Sequence, residues 1–139
     1  MAEAERLGIA DRVMMPGVLR DPARYIRLFD IFALSSDSEQ YPIALLEAMT
    51  SAIPVVSTDV GDVKNIVARE NRPFIVPRTD EASLAQAIRE LANDAGLREK
   101  LGIANRALAC ALYDEETMFA RYRQLYGSAM KRADFARQS

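Results

Sequence analysis

Three short runs of consecutive apolar residues, separated by segments with helical spacing, constrain the fold of this chain more than any other feature. The runs lie at 31–34, 54–58 and 73–76, and none of them alternates apolar with polar residues. Strands without such alternation are typical of a parallel sheet that is covered on both faces. Another apolar run, at 12–16, ends in Pro-Gly and is predicted to be a strand and a turn. The sequence therefore predicts an α/β fold with a doubly wound parallel sheet.

Helices are expected between these strands and after the last of them. Asp21, with Pro22 behind it, is predicted to be the N-cap of an early helix, and Asp80 is predicted to cap a later one. The predicted helices span 2–7, 22–29, 42–50, 62–68, 80–91, 96–109 and 115–131. We therefore expect one domain over 1–131 and a frayed tail at 132–139.

The composition argues against several kinds of chemistry. The chain has no histidine and a single cysteine, so a zinc or haem site of the usual ligand types is not expected, and serine–histidine or cysteine–histidine nucleophiles are excluded. The cysteine, Cys110, is predicted to be a core thiol on an apolar helix face. A formal net charge of −2 gives no reason to expect a nucleic-acid partner. No apolar run approaches the roughly 20 residues of a transmembrane helix.

The candidate site is the segment 37–50, which reads DSEQYPIALLEAMT. It places one carboxylate, Glu39, in a loop and a second, Glu47, on the helix that starts near Pro42. The positive end of that helix suits a phosphate, and the two acids can accept hydrogen bonds from sugar hydroxyls. Ligands of such sheets bind beyond the carboxyl ends of the strands. Glu39 and Glu47 are therefore expected to converge on one cavity at that edge.

Several segments in this order carry a resemblance to a known family. They lie at 11–17, 29–36, 39–49, 54–61, 74–77, 97–102 and 122–126. The most specific of them holds the pair Glu39 and Glu47, separated by seven residues, with Pro42 where the family has Gly or Pro. These segments resemble the donor-binding domain of retaining glycosyltransferases of the GT-B type, the family often called group 1. The resemblance covers nearly the whole chain and implies a partial Rossmann-like C-terminal domain with extra C-terminal helices.

The resemblance also implies roles for single residues. By this resemblance, Glu39 looks like the catalytic acid that faces the hydroxyls of the donor sugar. Glu47 looks like the acid that holds the ribose hydroxyls of the donor. The backbone N–H groups of Tyr41 and Ile43 would approach the diphosphate or the sugar, whereas Pro42 has no N–H to offer.

The loop around Leu19 and Arg20 would, by the same resemblance, lie against the nucleotide base through its backbone. No cofactor and no metal is implied, because the family neutralises the donor diphosphate with an upstream Arg and Lys. The sequence lacks this Arg and this Lys. It also lacks the Gly-rich turn that the family has after its second strand, and the acceptor-binding domain. The chain thus resembles the later part of one domain of a two-domain enzyme, whose partners are the nucleotide sugar and the missing segment. Alone, it is expected to have little or no transferase activity.

The chain departs from the family pattern in three ways. The second Gly of the turn at Gly61 is Asp62 here, and the usual acid further along is Asn65. The pair Ala52-Ile53 replaces a common pair of a small residue and Gly. These changes are expected to leave the fold intact and to alter the sugar pocket.

Three functions stay open from the sequence. The first is sugar transfer with retention, from a nucleotide-diphosphate donor to an acceptor. The second is a nucleotide-sugar binding module without chemistry. The third is a scaffold completed by a second copy, because the strands at 12–16 and 31–34 would have exposed edges that invite pairing. The expected location is cytoplasmic, with or without peripheral attachment to a membrane.

Overall fold

A computed structural model describes residues 1–130 of the chain. The helices are α1 (Ala2–Arg6), α2 (Ala23–Ile26), α3 (Ile43–Thr50), α4 (Val63–Ile66), α5 (Glu81–Asn93), α6 (Ala95–Leu112) and α7 (Glu115–Ala129). The strands are β1 (Phe32–Leu34), β2 (Val55–Thr58) and β3 (Ile75–Val76). Short 3-10 turns cover Ala10–Arg12 and Arg69–Phe74. The predicted tail at 132–139 lies outside the described residues, as does the last residue of the predicted helix 115–131.

The three strands form one parallel sheet in the order β1–β2–β3. Phe32 of β1 pairs with Val55 of β2, and Ser57 of β2 pairs with Ile75 of β3. Each parallel connection passes through a helical segment, as parallel pairing requires. The predicted α/β fold with a parallel sheet is therefore confirmed.

The core has two layers, one on each face of the sheet. Val55 faces a cluster that includes Leu45 and Met49 of α3, whereas Val56 faces a cluster that includes Leu91 of α5 and Leu101 of α6. Neighbouring residues of a strand point to opposite faces. A strand between two apolar layers thus needs apolar residues at consecutive positions, and this explains the run in the sequence.

Two buried asparagines join α6 to the sheet. Asn71 accepts a hydrogen bond from the Val55 amide at 3.0 Å and donates to the Val55 carbonyl at 2.6 Å. Its side chain therefore replaces a neighbouring strand at a point before β3 begins. Asn105 of α6 donates to the Asn71 Oδ1 atom at 2.8 Å and accepts from the Ala68 amide at 3.1 Å. Both side chains are buried, and each has partners for its polar atoms, as burial requires.

Helix α3 ends in a left-handed turn at Ala52, whose φ is +59°. The Ala52 amide donates to the Met49 carbonyl, and the Ile53 amide donates to the Ala48 carbonyl, each at 3.0 Å. This pair of bonds is the Schellman motif, in which the left-handed position is usually Gly. Helix α6 crosses this turn at Gly102, where a Cβ would stand 2.7 Å from the Ala52 carbonyl carbon.

The prediction of a strand at 12–16 is wrong. Residues 13–16 have no regular secondary structure, and the side chains of Met14 and Met15 are 86% and 69% exposed. An apolar run becomes a strand only where a neighbouring strand accepts its backbone hydrogen bonds. Within residues 1–130, no strand lies beside this segment.

Several element boundaries also differ from the prediction. The strand predicted at 73–76 is shorter, because Pro73 belongs to a 3-10 turn and only Ile75–Val76 pair with β2. Helix α2 is also shorter than 22–29, and Pro22 rather than Asp21 is its N-cap. The Asp21 side chain forms an ion pair with Arg24 at 2.7 Å. Asp80 caps α5 as predicted.

The last two helices carry a cysteine and two tyrosines whose side chains are exposed. Cys110 on α6 is exposed, so the prediction of a core thiol is wrong. Tyr122 and Tyr126 of α7 are about half exposed and stack on each other with ring centroids 6.2 Å apart. In residues 1–130, no helix combines the length and the apolar character needed to cross a membrane.

Candidate functional site

A small cavity lies where the three strands end at the carboxyl edge of the sheet. Its volume is about 240 Å³. It is lined by residues that follow β1, β2 and β3: Asp37, Ser38, Glu39, Asp59, Val60, Gly61 and Arg78. This is the edge where ligands of open α/β sheets bind. The cavity therefore lies where the sequence predicted a site.

The loop that carries Glu39 is held by hydrogen bonds from its own residues and from the following strands. The Ser36 hydroxyl donates to Glu39 Oε1 at 2.8 Å, which orients the carboxylate. The Thr58 hydroxyl at the end of β2 donates to the Ser36 carbonyl at 2.6 Å. Arg78 Nη1 donates to the Asp37 carbonyl at 3.2 Å. Glu39 is thus a half-buried acid on a loop with a defined backbone.

The turn after β2 packs directly on the same loop. Gly61 has a φ of +52°, and a Cβ there would stand 2.7 Å from the Gln40 carbonyl oxygen and even closer to that of Glu39. The Asp62 amide donates to the Gln40 carbonyl at 3.2 Å. Only Gly fits this backbone conformation and this separation without strain. A positive φ is what glycine supplies most readily in a turn, and the close contact with the loop adds a second reason for glycine at this position.

The N-terminus of α3 differs from those of the longer helices. Helices α5, α6 and α7 begin after Asp80, Asp94 and Asp114, each of which accepts a hydrogen bond from a first-turn amide. Among the described residues, α3 has no side-chain cap; its N-cap is Pro42. The amide of Ile43, in the exposed first turn, is one of the donors that every helix start leaves without an intrahelical partner. Such a terminus suits an anion.

Tyr41, just before α3, packs edge to face on Tyr113, with ring centroids 6.2 Å apart and an angle of 77°. Burial raises the pKa of the Tyr41 phenol above its usual value, and Tyr113 and Asp62 raise this pKa further. The contact links α6 to the start of α3. The sequence had assigned Tyr41 a role for its backbone only, and nothing in the sequence marked Tyr113 as its partner.

The cavity includes only part of the predicted site. Of the six residues named from the sequence, Glu39 lines it. The remaining five lie outside its lining among the described residues: Tyr41, Ile43, Glu47, Leu19 and Arg20. Glu47 is half-buried on α3, and Arg20 is exposed in the loop before α2. The convergence of Glu39 and Glu47 on one ligand therefore stays a prediction.

The cavity contains charged residues that the sequence reading did not single out. Asp59 follows β2 directly and forms an ion pair with Lys64 at 3.2 Å. Arg78 lies two residues beyond β3. Position after a buried strand is the signal that could have found both, because parallel strands end at one edge. Within residues 1–130, no three His, Cys, Asp or Glu side chains lie close enough together to hold a metal ion.

A doubly wound parallel sheet with polar loops and a helix N-terminus at its carboxyl edge is the architecture of nucleotide-binding α/β domains. The chain belongs to the family described as glycosyl transferases group 1, whose profile matches residues 1–108. The sequence resemblance to this family is thereby confirmed.

Individual relatives agree with this assignment. The chain is 24% identical to N-acetyl-alpha-D-glucosaminyl L-malate synthase of Bacillus anthracis, over 91% of this chain and 33% of that protein. It is 30% identical to D-inositol 3-phosphate glycosyltransferase of Streptomyces avermitilis, over 92% of this chain and 28% of that protein. The chain thus spans about a third of the length of these relatives.

The fold is also similar to that of a solved relative. Sucrose-phosphate synthase from Thermosynechococcus elongatus superposes with a TM-score of 0.80 at 27% identity. The match covers 91% of this chain and 33% of that one. The predicted GT-B, Rossmann-like class is therefore confirmed.

Proposed function

We propose that this chain is the donor-binding part of a retaining glycosyltransferase and binds a nucleotide-diphosphate sugar at the carboxyl edge of its sheet. One observation supports this most directly. Glu39 lines a cavity on a loop that leads into the start of α3, which lacks a side-chain cap among the described residues. An acid suits sugar hydroxyls, and an uncapped helix start suits a phosphate.

The chemistry we propose is mainly electrostatic. The developing negative charge on the departing diphosphate would be stabilised by the amides at the start of α3, while Glu39 accepts hydrogen bonds from the sugar hydroxyls. Each preorganised donor of this kind contributes about 3 kcal/mol to transition-state stabilisation. By family resemblance, most of the diphosphate charge is neutralised by an Arg and a Lys that precede the motifs matched in this chain. We therefore expect this chain alone to bind donor with little or no turnover, and to need no metal.

Calorimetry tests this proposal with the chain itself. The probes are UDP-glucose, UDP-N-acetylglucosamine and GDP-mannose, each compared with its free nucleoside diphosphate. With the probe that binds, Glu39→Gln should weaken binding of the sugar nucleotide and leave the affinity for the nucleoside diphosphate unchanged. Glu47→Ala should weaken binding of both ligands, because both contain the ribose. Glu99→Ala, an exposed acid on α6, is the control that should change neither. Failure of all three probes to bind would refute the proposal.

Two alternatives predict different results. A binding module without chemistry should bind donor but stay inactive when the chain is joined to the remaining part of a full-length relative, whereas a transferase part should then turn over. A scaffold completed by a second copy should be a dimer by light scattering and should not bind donor. The outer edge of β1, which pairs only with β2 among the described strands, favours this last alternative. Its other motivation is lost, because 12–16 is not a strand.

We propose a cytoplasmic location, because the resemblance implies a nucleotide-sugar donor. Peripheral attachment to a membrane remains part of that proposal. Fractionation of cells that express the chain tests it: recovery in the supernatant supports a purely cytoplasmic protein, and release from membranes by salt supports peripheral attachment.

A further inference from the structure

The loop that carries Glu39 is bound through its backbone carbonyls by groups from both strands that follow it. Thr58, at the end of β2, donates to the Ser36 carbonyl. Arg78, beyond the end of β3, donates to the Asp37 carbonyl. A loop whose acceptors are occupied in this way has fewer backbone conformations available, and its acidic side chain is correspondingly better placed.

Arg78 is the link between this loop and the third strand, across 41 positions of sequence. It projects from a turn that is itself constrained. Thr79 has a φ of +66°, and its hydroxyl donates to the Arg78 carbonyl at 2.5 Å. Asp80 then caps α5. The backbone around Arg78 is therefore fixed on both sides, by β3 and by the start of α5.

The charge of Arg78 matters as well as its hydrogen bond. The cavity lining contains the carboxylates of Asp37, Glu39 and Asp59, and Arg78 is its cation. Hydrogen bonds from a charged donor are stronger than those from a neutral one. The guanidinium thus brings a positive charge to an otherwise acidic lining while it holds the loop.

We propose that Arg78 is a positioning residue for the donor sugar: it holds the loop after β1 in the conformation that aims Glu39 at the sugar hydroxyls. This inference rests on the proposed function of the site. It assigns Arg78 to recognition of the sugar, not of the nucleotide, because its guanidinium donates a hydrogen bond to the Glu39 loop.

The test compares Arg78→Ala and Arg78→Lys with Arg69→Ala, which removes another exposed arginine outside the cavity. NMR order parameters of the backbone at 37–41 measure the mobility of the loop directly, without any ligand. Loss of the hydrogen bond to the Asp37 carbonyl should lower these order parameters in Arg78→Ala, from about 0.8 toward about 0.6. Arg78→Lys, which keeps a charged donor, should restore part of the order, and Arg69→Ala should match the wild type.

Affinity provides the second readout. Arg78→Ala should lower the affinity for the sugar nucleotide about fivefold and leave the affinity for the free nucleoside diphosphate unchanged. A variant that merely unfolds would lose both affinities. Order parameters at 37–41 in Arg78→Ala equal to those in Arg69→Ala, with normal wild-type donor binding, overturn this inference alone. Absence of donor binding by the wild type overturns the proposed function, and with it the role of Arg78 in placing the sugar.

Discussion

Gly61 lies directly against the backbone carbonyl of Glu39, so the turn after β2 and the acidic loop after β1 share one contact surface. A Cβ at position 61 would stand 2.9 Å from the Glu39 carbonyl carbon and 2.7 Å from the Gln40 carbonyl oxygen. Both neighbours are backbone atoms, which cannot rotate away as a flexible side chain can. The position of the candidate sugar-binding acid therefore depends on the absence of a side chain at residue 61.

Gly61→Ala should destabilise the fold and displace the Glu39 loop. We expect a loss of about 2–4 kcal/mol, from the strain of a positive φ and from overpacking against the loop. Gly17→Ala is the matched control, since Gly17 has a φ of +72° but nothing within 4 Å of its Cβ position. Its loss should be about 1 kcal/mol. Urea unfolding measures both; equal losses would contradict the contact at Gly61.

Two glycines of α6 should respond to alanine with opposite signs. Gly102 packs on the Ala52 carbonyl, so Gly102→Ala should destabilise the chain by about 1–3 kcal/mol. Gly96 would have only the Asp94 side chain near a new Cβ, at 3.5 Å. Gly96→Ala should therefore stabilise the chain by about 0.5–1 kcal/mol through helix propensity. Thermal and urea unfolding decide the signs, and stabilisation by Gly102→Ala would refute the close helix crossing.

Ala52→Gly should stabilise the chain, because Ala52 occupies the left-handed position of a Schellman motif. The free energy gained by relief of the backbone strain exceeds the entropic cost of a more flexible unfolded chain. The net gain in stability is about 0.5–1 kcal/mol. Ala107→Gly makes the same chemical change at an exposed position within α6 and should cost about 1 kcal/mol. A loss of stability in both variants would contradict the left-handed assignment at Ala52.

The cap of α5 should make stability depend on pH in the acid range. The Ser83 hydroxyl and amide donate to the Asp80 carboxylate at 2.7 Å and 2.9 Å, and they lower the pKa of Asp80 below its ordinary 3.8. A carboxyl group whose pKa is lowered by folding stabilises the folded state at pH values above its pKa in the unfolded chain. This stabilisation is lost as the pH falls through its pKa in the folded state. The difference in unfolding free energy between the wild type and Asp80→Asn should therefore shrink as the pH falls below about 4.

Urea unfolding at a series of pH values measures this difference. Ser83→Ala is the control, because it removes the hydroxyl that contributes most to the lowered pKa while it keeps the carboxylate. The pH dependence should be weaker in this variant than in the wild type. The role of the cap would be contradicted if the difference in unfolding free energy between the wild type and Asp80→Asn stayed constant through the acid range.

Much of the fold was readable from local patterns. The apolar runs at 31–34 and 54–58 became β1 and β2, since a strand covered on both faces needs apolar residues at consecutive positions. The cap at Asp80 and the positive φ at Gly61 were also readable, because each reflects the chemistry of a single residue type. The prediction at 12–16 failed because strand formation also needs a partner. This run has the composition of a strand but no neighbouring strand among the described residues.

The candidate site divides in the same way. The spacing from Glu39 to Glu47 and the helix start at Pro42 are properties of one continuous segment, so the sequence could place them. Arg78 and Asp59 line the cavity from the loops after β3 and β2. Their position after buried strands marks them as candidates, but no local pattern shows which loops lie beside that of Glu39. Recognition of such residues requires knowledge of how the strands are ordered.

The sequence by itself determined the order of elements, the parallel class of the sheet and the acidic segment before α3, because burial periodicity and helix capping are local. Only the tertiary structure decided which loops meet at the cavity, how closely Gly61 approaches Glu39 and that 13–16 forms no strand. Those features depend on contacts between residues far apart in the chain. Their energies come from packing and hydrogen bonding that exist only once the sheet has assembled.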